Sequence, residues 1–109
     1  MTQVRRAGSV ITLREEAIEE YERYHSAVWS DVLAALTRAH IRNYSIYRYG
    51  TLLFSYWEYD GEDYARDLAW LDTDPVSIEW VRIMQTFQVS VPEARPGQWL
   101  ELPEVFHLD

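Results

Sequence analysis

The sequence contains no cysteine, so disulfides, thiolate catalysis and cysteine-based zinc sites are all excluded. Basic residues are also scarce, because ten of them stand against eighteen Asp and Glu, which gives a net charge of −8. Nucleic acids and anionic membrane surfaces attract clustered positive charge. We therefore expect neither a nucleic acid nor a membrane as a partner.

Long apolar runs are missing as well. Residues 1–7 include Arg5 and Arg6 but are not followed by an apolar run of signal-peptide length, and no stretch approaches the length that spans a membrane. A cytoplasmic protein is the expectation.

Familiar functional motifs are absent too. There is no glycine-rich phosphate loop, no nucleotide fingerprint and no His-Glu-x-x-His sequence. No Ser stands in the sharp turn that exposes a nucleophile. The three His residues are scattered, which is a weak pattern for a metal site. The sequence thus contains no familiar cofactor motif and only a weak metal pattern, which leaves acid–base chemistry through His25 as the candidate mechanism.

At 109 residues the chain has the size of one ordinary domain, and we expect a single domain over residues 1–109. It is rich in aromatic residues, with five Trp, eight Tyr and three Phe. Such flat side chains with a polar edge suit carbohydrate or planar ligands as well as protein interfaces. Composition alone does not distinguish these uses.

Periodicity along the chain predicts the order β-α-β-β-α-α-β. The expected elements are a strand at 4–13, a long helix at 16–39, strands at 41–49 and 52–59 around a Gly50-Thr51 turn, a helix at 64–71, a helix from the Asp74 cap and Pro75 to near Val89, and a strand at 99–108 interrupted by Pro103. This order indicates an α+β, ferredoxin-like split βαβ domain with a four-stranded antiparallel sheet. If the helices cover one face of the sheet, the other face is rich in aromatic residues and exposed. We expect this face to pack against a second copy of the chain in a homodimer.

The predicted long helix places His25 in an apolar stripe, with Tyr21 one turn before it and Trp29 one turn after it. Such a His could simply pack and satisfy a hydrogen bond. Alternatively, it could transfer a proton near neutral pH from within an aromatic-walled pocket. His40 belongs at the carboxyl end of that helix and receives no catalytic role.

Over nearly its whole length the chain resembles the L-rhamnose mutarotase family. The matching segments are residues 20–29, 43–47, 52–54 followed by Glu58, 80–84 and 104–108. The resemblance implies a homodimeric α+β barrel enzyme that interconverts the α and β anomers of a 6-deoxyhexose, most simply L-rhamnose, without a cofactor. It further implies that His25 is the proton donor and that Tyr21 and Tyr44 contact the sugar.

The family has two adjacent tryptophans on its last helix. This chain has Trp80 at the first of these positions but Val81 at the second. The change at Val81 leaves the preferred sugar open, with L-fucose as an alternative. Trp29, Trp80 and Met84 offer apolar surface to the sugar ring and to a C6 methyl group, although Trp29 and Met84 suit a plain core equally well. The acceptor of the anomeric proton also stays open among water, Tyr44 and His25.

Two other classes of function compete with this interpretation. One is a regulatory barrel that binds a small molecule without catalysis, in which His25 only packs. The other is a cofactor-free or haem-handling oxidoreductase, since the same fold carries many functions.

Overall fold

The computed structural model describes residues 4–109. Its elements follow in the order β1 (Arg5–Leu13), a 3-10 turn (Glu15–Ala17), α1 (Ile18–His25), α2 (Ser30–Arg38), β2 (Ile41–Tyr49), β3 (Leu52–Tyr59), α3 (Tyr64–Leu71), α4 (Pro75–Gln85), β4 (Gln88–Val89) and β5 (Leu100–Leu102). None of the helices in this part of the chain is both long and apolar enough to cross a membrane.

The sheet is antiparallel, and its strand order is β2-β3-β1-β4. One edge of β1 pairs with β3 over almost its full length. The other edge is shared, because β4 pairs with Thr12 and Leu13 while β5 pairs with residues 8–10. The predicted α+β, ferredoxin-like arrangement is thus confirmed, but the sheet has five strands where four were predicted. The strand predicted at 99–108 is only three residues long, as β5, and β4 is an additional strand.

Alternation along the strands separates the two faces of the sheet. Ile11, Leu13 and Leu53 are almost fully buried and form the core against the helices. Phe54 pairs with Val10 on one side and with Tyr47 on the other, so these three residues lie in a row on the helix-free face. Tyr47 is 66% exposed there and Phe54 39%.

The prediction of one helix over residues 16–39 is wrong, because the chain breaks between α1 and α2 at residues 26–29. The Ser26 hydroxyl donates to the Arg23 carbonyl at 2.6 Å, and Ala27 N–H donates to the Tyr24 carbonyl. Trp29 then adopts an extended backbone, and its carbonyl accepts the first bonds of α2. Val28 and Trp29, which flank the start of α2, both pack against the core.

The last predicted helix ends earlier than expected, at Gln85. Thr86 closes its final turn through both its N–H and its hydroxyl, which donate to the Ile83 carbonyl. Gln88 and Val89 are therefore free to pair with β1 as β4. The start of this helix is as predicted, since Asp74 caps it by accepting from Ser77 N–H and Pro75 stands in its first turn.

Candidate active site

A cavity of about 730 Å³ lies between α1, α2, β2 and the Trp80 side of α4. Its volume is within the range of small-molecule sites, roughly 300 to 1,000 Å³. The residues that line it are Tyr21, Glu22, His25, Val28, Val32, Leu33, Leu36, Thr37, Ile41, Arg42, Asn43, Tyr44, Ile46, Tyr47, Arg48, Leu53 and Trp80. Four of the residues predicted from the sequence, namely Tyr21, His25, Tyr44 and Trp80, are thereby brought together.

His25 is the last residue of α1, and its ring is held in one orientation. Its Nδ1 lies 2.8 Å from the backbone carbonyl oxygen of Tyr21, one turn earlier. A carbonyl only accepts, so Nδ1 carries the proton and Nε2 is the ring nitrogen available to a ligand. The centroid of the imidazole ring lies 4.2 Å from that of the Tyr21 ring. It lies 5.4 Å from that of the Trp80 ring, which it meets edge to face.

Burial lowers the pKa of His25 below its ordinary value of 6.5, and the hydrogen bond to the Tyr21 carbonyl opposes this only in part. The imidazole is therefore neutral at pH 7, with a lone pair on Nε2. In that state it can accept a proton from a ligand hydroxyl and return it to a second oxygen.

Tyr21 and Tyr44, two of the three tyrosines that line the cavity, remain protonated. Burial raises the pKa of the Tyr21 phenol well above 10, and the nearby Tyr44 adds to this effect. Burial likewise raises the pKa of Tyr44 to about 12, although the residue as a whole is 40% exposed. At neutral pH both side chains are neutral hydroxyls that donate and accept hydrogen bonds.

A β-bulge positions Tyr44. Between Arg42 and Ser45 the register of β2 against β3 shifts, and Asn43 adopts the left-handed conformation with φ +48°. Asn tolerates this conformation better than most residues, and its side-chain amide donates to Glu58 at 2.8 Å. Tyr44 then lies edge to face with Trp57 at 5.2 Å and faces the cavity.

For Trp29 and Met84 the sequence left ligand contact and a plain core equally open, and neither residue lines this cavity. The Trp29 ring packs edge to face on Trp80 at 5.0 Å, and Met84 is buried in the core cluster. Both side chains support the wall that Trp80 forms.

Val81 follows Trp80 on α4 and is also absent from the first cavity. It lines an adjoining cavity of about 670 Å³, with which the first cavity shares Val32, Leu36, Tyr44 and Trp80. Helical geometry explains the separation, since successive residues point in directions about 100° apart.

An ion pair between Glu22 and Arg48 was missed by the sequence reasoning. It joins α1 to β2 at the wall of the cavity, and Arg48 also donates to the Gly50 carbonyl. Period two along β2 places Arg48 on the same face as Tyr44 and Ile46, which was the available signal.

Within residues 4–109, no group of three or more His, Asp or Glu side chains is arranged to hold a metal ion. The polar groups that line the cavity around His25 are instead hydroxyls, an imidazole, an amide, the Glu22–Arg48 pair and Arg42, whose guanidinium is paired with Asp60 at 3.3 Å. This set suits a neutral ligand that bears several hydroxyl groups.

Comparison with known proteins identifies relatives along nearly the whole chain. An L-rhamnose mutarotase from Bacteroides thetaiotaomicron is 34% identical over 92 residues, covering 83% of this chain and 85% of the relative. An L-fucose mutarotase from Xanthomonas campestris pv. campestris is 36% identical over 110 aligned positions, covering 91% of this chain and 84% of the relative.

The fold has a solved counterpart in the crystal structure of an L-rhamnose mutarotase from Formosa agariphila. That structure superposes with a TM-score of 0.76 at 20% identity, covering 96% of this chain and 99% of the other. The profile of the L-rhamnose mutarotase family matches residues 6–108. With this match, the chain belongs to the L-rhamnose mutarotase family.

Proposed function

We propose that this protein is a sugar mutarotase that interconverts the α and β anomers of L-rhamnose. The observation that carries the proposal is the His25 imidazole, whose Nδ1 is bound to the Tyr21 carbonyl and whose Nε2 is left to act in a cavity walled by Tyr21, Tyr44 and Trp80. Family membership supports the same activity.

His25 Nε2 takes the proton from the anomeric hydroxyl of the bound pyranose and delivers it to the ring oxygen as the C1–O5 bond breaks. The open-chain aldehyde rotates about the C1–C2 bond. Closure repeats the transfer in reverse on the other face of the carbonyl, and the imidazole ends neutral. One proton moves between two oxygens of the same sugar, so the reaction requires no cofactor.

The remaining residues hold the sugar. Tyr21 and Tyr44 exchange hydrogen bonds with its hydroxyls as neutral phenols, and the indole of Trp80 covers an apolar face of the ring. Trp29 and Met84 keep Trp80 in position from behind. Val81 lines the adjoining cavity and does not line the cavity around His25.

L-Fucose is a second candidate substrate, and the similarity to the Xanthomonas L-fucose mutarotase favours testing it. It is also a 6-deoxyhexose, so the same proton transfer applies to it.

We further propose that residues 1–109 act as one domain and that two copies form a homodimer through the helix-free faces of their sheets. The exposed row around Tyr47 and Phe54 supports this interface, because large apolar side chains gathered on one face favour association. A cytoplasmic location stays a prediction.

Saturation-transfer NMR between the α and β anomers tests the proposed activity. Protein should accelerate exchange of L-rhamnose, L-fucose or both well above the spontaneous rate, and an ordinary aldose such as D-glucose serves as the comparison. Exchange of both 6-deoxyhexoses at the spontaneous rate would refute the proposal.

A further inference from the structure

We propose that the second cavity is a subsite for a substituent on the sugar, so that the protein also accepts reducing oligosaccharides that end in a 6-deoxyhexose. This inference rests on the proposed function. It adds a substrate class with a free anomeric hydroxyl and a further glycosyl group on another hydroxyl.

The first observation is that the two cavities adjoin. Tyr44 and Trp80 line both, as do Val32 and Leu36 of α2. Each volume, about 730 and 670 Å³, is large enough to hold a ligand of its own. A sugar held by His25 and Tyr21 in the first cavity therefore has space beside Tyr44 and Trp80 for a second ring.

The second observation is a small side chain within the second cavity. Val81 is 50% exposed and lines the second cavity next to Trp80, whose indole lines both. A valine there leaves open space that a larger side chain would fill.

The third observation is the chemistry of the second cavity. Its apolar wall includes Trp57, Leu68 and Leu71, which present broad surface to a sugar ring. Asp72 and Gln98 also line it, and within residues 4–109 neither side chain makes a hydrogen bond. The other polar side chains of this cavity are already bonded, Ser77 to Asp74, Arg82 to Glu79 and Gln85 to the Gly97 carbonyl. An apolar wall with a few free polar groups is the combination that binds a neutral glycosyl group.

The reaction itself sets which substituents are allowed. Exchange needs the anomeric hydroxyl and the ring oxygen, so the glycosyl group must be attached at a carbon other than C1. No additional reactant is required, because the bonds that break and form are those of the reducing-end sugar alone.

The test compares free L-rhamnose with a disaccharide that has L-rhamnose at its reducing end, by saturation-transfer NMR. The parent protein should accelerate exchange of both. Val81→Trp should lower the ratio of the disaccharide rate to the free-sugar rate at least about tenfold, the scale on which pocket shape discriminates substrates. Ala34→Trp is the control, because Ala34 is an exposed small residue of α2 that lines neither cavity, and it should leave the ratio unchanged.

Two results would overturn the subsite. Exchange of the free sugar without exchange of the disaccharide would mean that the second cavity does not admit a glycosyl group. An equal effect of Val81→Trp on the exchange rates of both substrates would mean that the space beside Val81 does not discriminate them. Failure to exchange either sugar would instead reject the proposed function, and titration calorimetry with the disaccharide then decides separately whether the cavity binds it.

Discussion

His25 owes its proposed role to a contact within its own helix. The Tyr21 carbonyl binds Nδ1 at 2.8 Å and fixes the tautomer, while burial lowers the pKa. Together these effects leave a neutral imidazole with its basic nitrogen available at pH 7. The side chain is thus prepared as a base before a ligand arrives.

Replacement of His25 by Asn should lower anomer exchange by about a hundredfold or more, because a positioned general base is lost. Saturation-transfer NMR measures the rate, and circular dichroism checks that the fold is kept. His40→Asn is the matched control, since His40 lies outside the cavity and has φ +65°, a conformation that Asn tolerates. Parent-level exchange by a folded His25→Asn variant would assign His25 a packing role only.

The pH dependence follows from the lowered pKa of His25. Nε2 becomes protonated only as the pH falls through the lowered pKa, which lies below 6.5. The enzymatic rate should therefore be constant around neutrality and should fall as the pH drops through this pKa, because the protonated ring no longer acts as a base. Rates measured from pH 4 to 8, with the spontaneous exchange subtracted, give the midpoint. A midpoint above 6.5 would contradict the burial effect, and His25→Asn should abolish the dependence.

At the scale of elements, the turn between β3 and α3 is built around a buried tyrosine. The Tyr59 hydroxyl donates to the Asp67 carboxylate and accepts from Asp63 N–H at 3.0 Å. Asp63 in turn caps α3 by accepting from Arg66 N–H. Gly61 passes so close to this ring that a Cβ there would lie 2.6 Å from Tyr59 Cζ. The turn therefore depends on a residue without a side chain.

Gly61→Ala should reduce the free energy of unfolding by about 1 to 3 kcal/mol, because the methyl group forces Tyr59 or the turn to shift. Urea unfolding followed by tryptophan fluorescence measures the loss. Gly8→Ala is the control, since its added Cβ would meet only the Ser55 carbonyl oxygen at 3.8 Å. Equal stability of the two variants would show that the turn relaxes freely.

At the scale of the whole molecule, the two faces of the sheet have different proposed roles, one in the sugar site and the other in dimerisation. Its helix-covered face contributes Tyr44, Ile46 and Leu53 to the cavity around His25. Its other face carries the exposed Tyr47 and Phe54, and Tyr47 is also among the residues that line this cavity. Dimerisation through this second face would bury apolar surface while the cavity remains between sheet and helices.

Sedimentation at micromolar concentration should detect a dimer, and Tyr47→Arg should shift it toward monomer, because an unpaired charge would enter the apolar row. Ile78→Arg is the comparison, since Ile78 is similarly apolar and exposed but lies on α4 on the helical side. A parent protein that sediments as a monomer would reject the proposed interface.

Local signals in the sequence were sufficient for most elements and for the central pair of the site. Period-two alternation around Gly50 determined the bounds of β2 and β3, and Asp74 before Pro75 determined the start of α4. Tyr21 and His25 are four residues apart, so any helix through them places their side chains together. These features depend on neighbours within a few residues, which the sequence states directly.

Only the tertiary structure decided the rest. The break at residues 26–29 separates two helices that each pack on the core, and the bulge at Asn43 is a shift of β2 in register against β3. The Glu22–Arg48 pair and the separation of Val81 from the first cavity arise where distant segments meet. Such features follow from the packing of one element on another, and the residues that set them lie far apart in the chain.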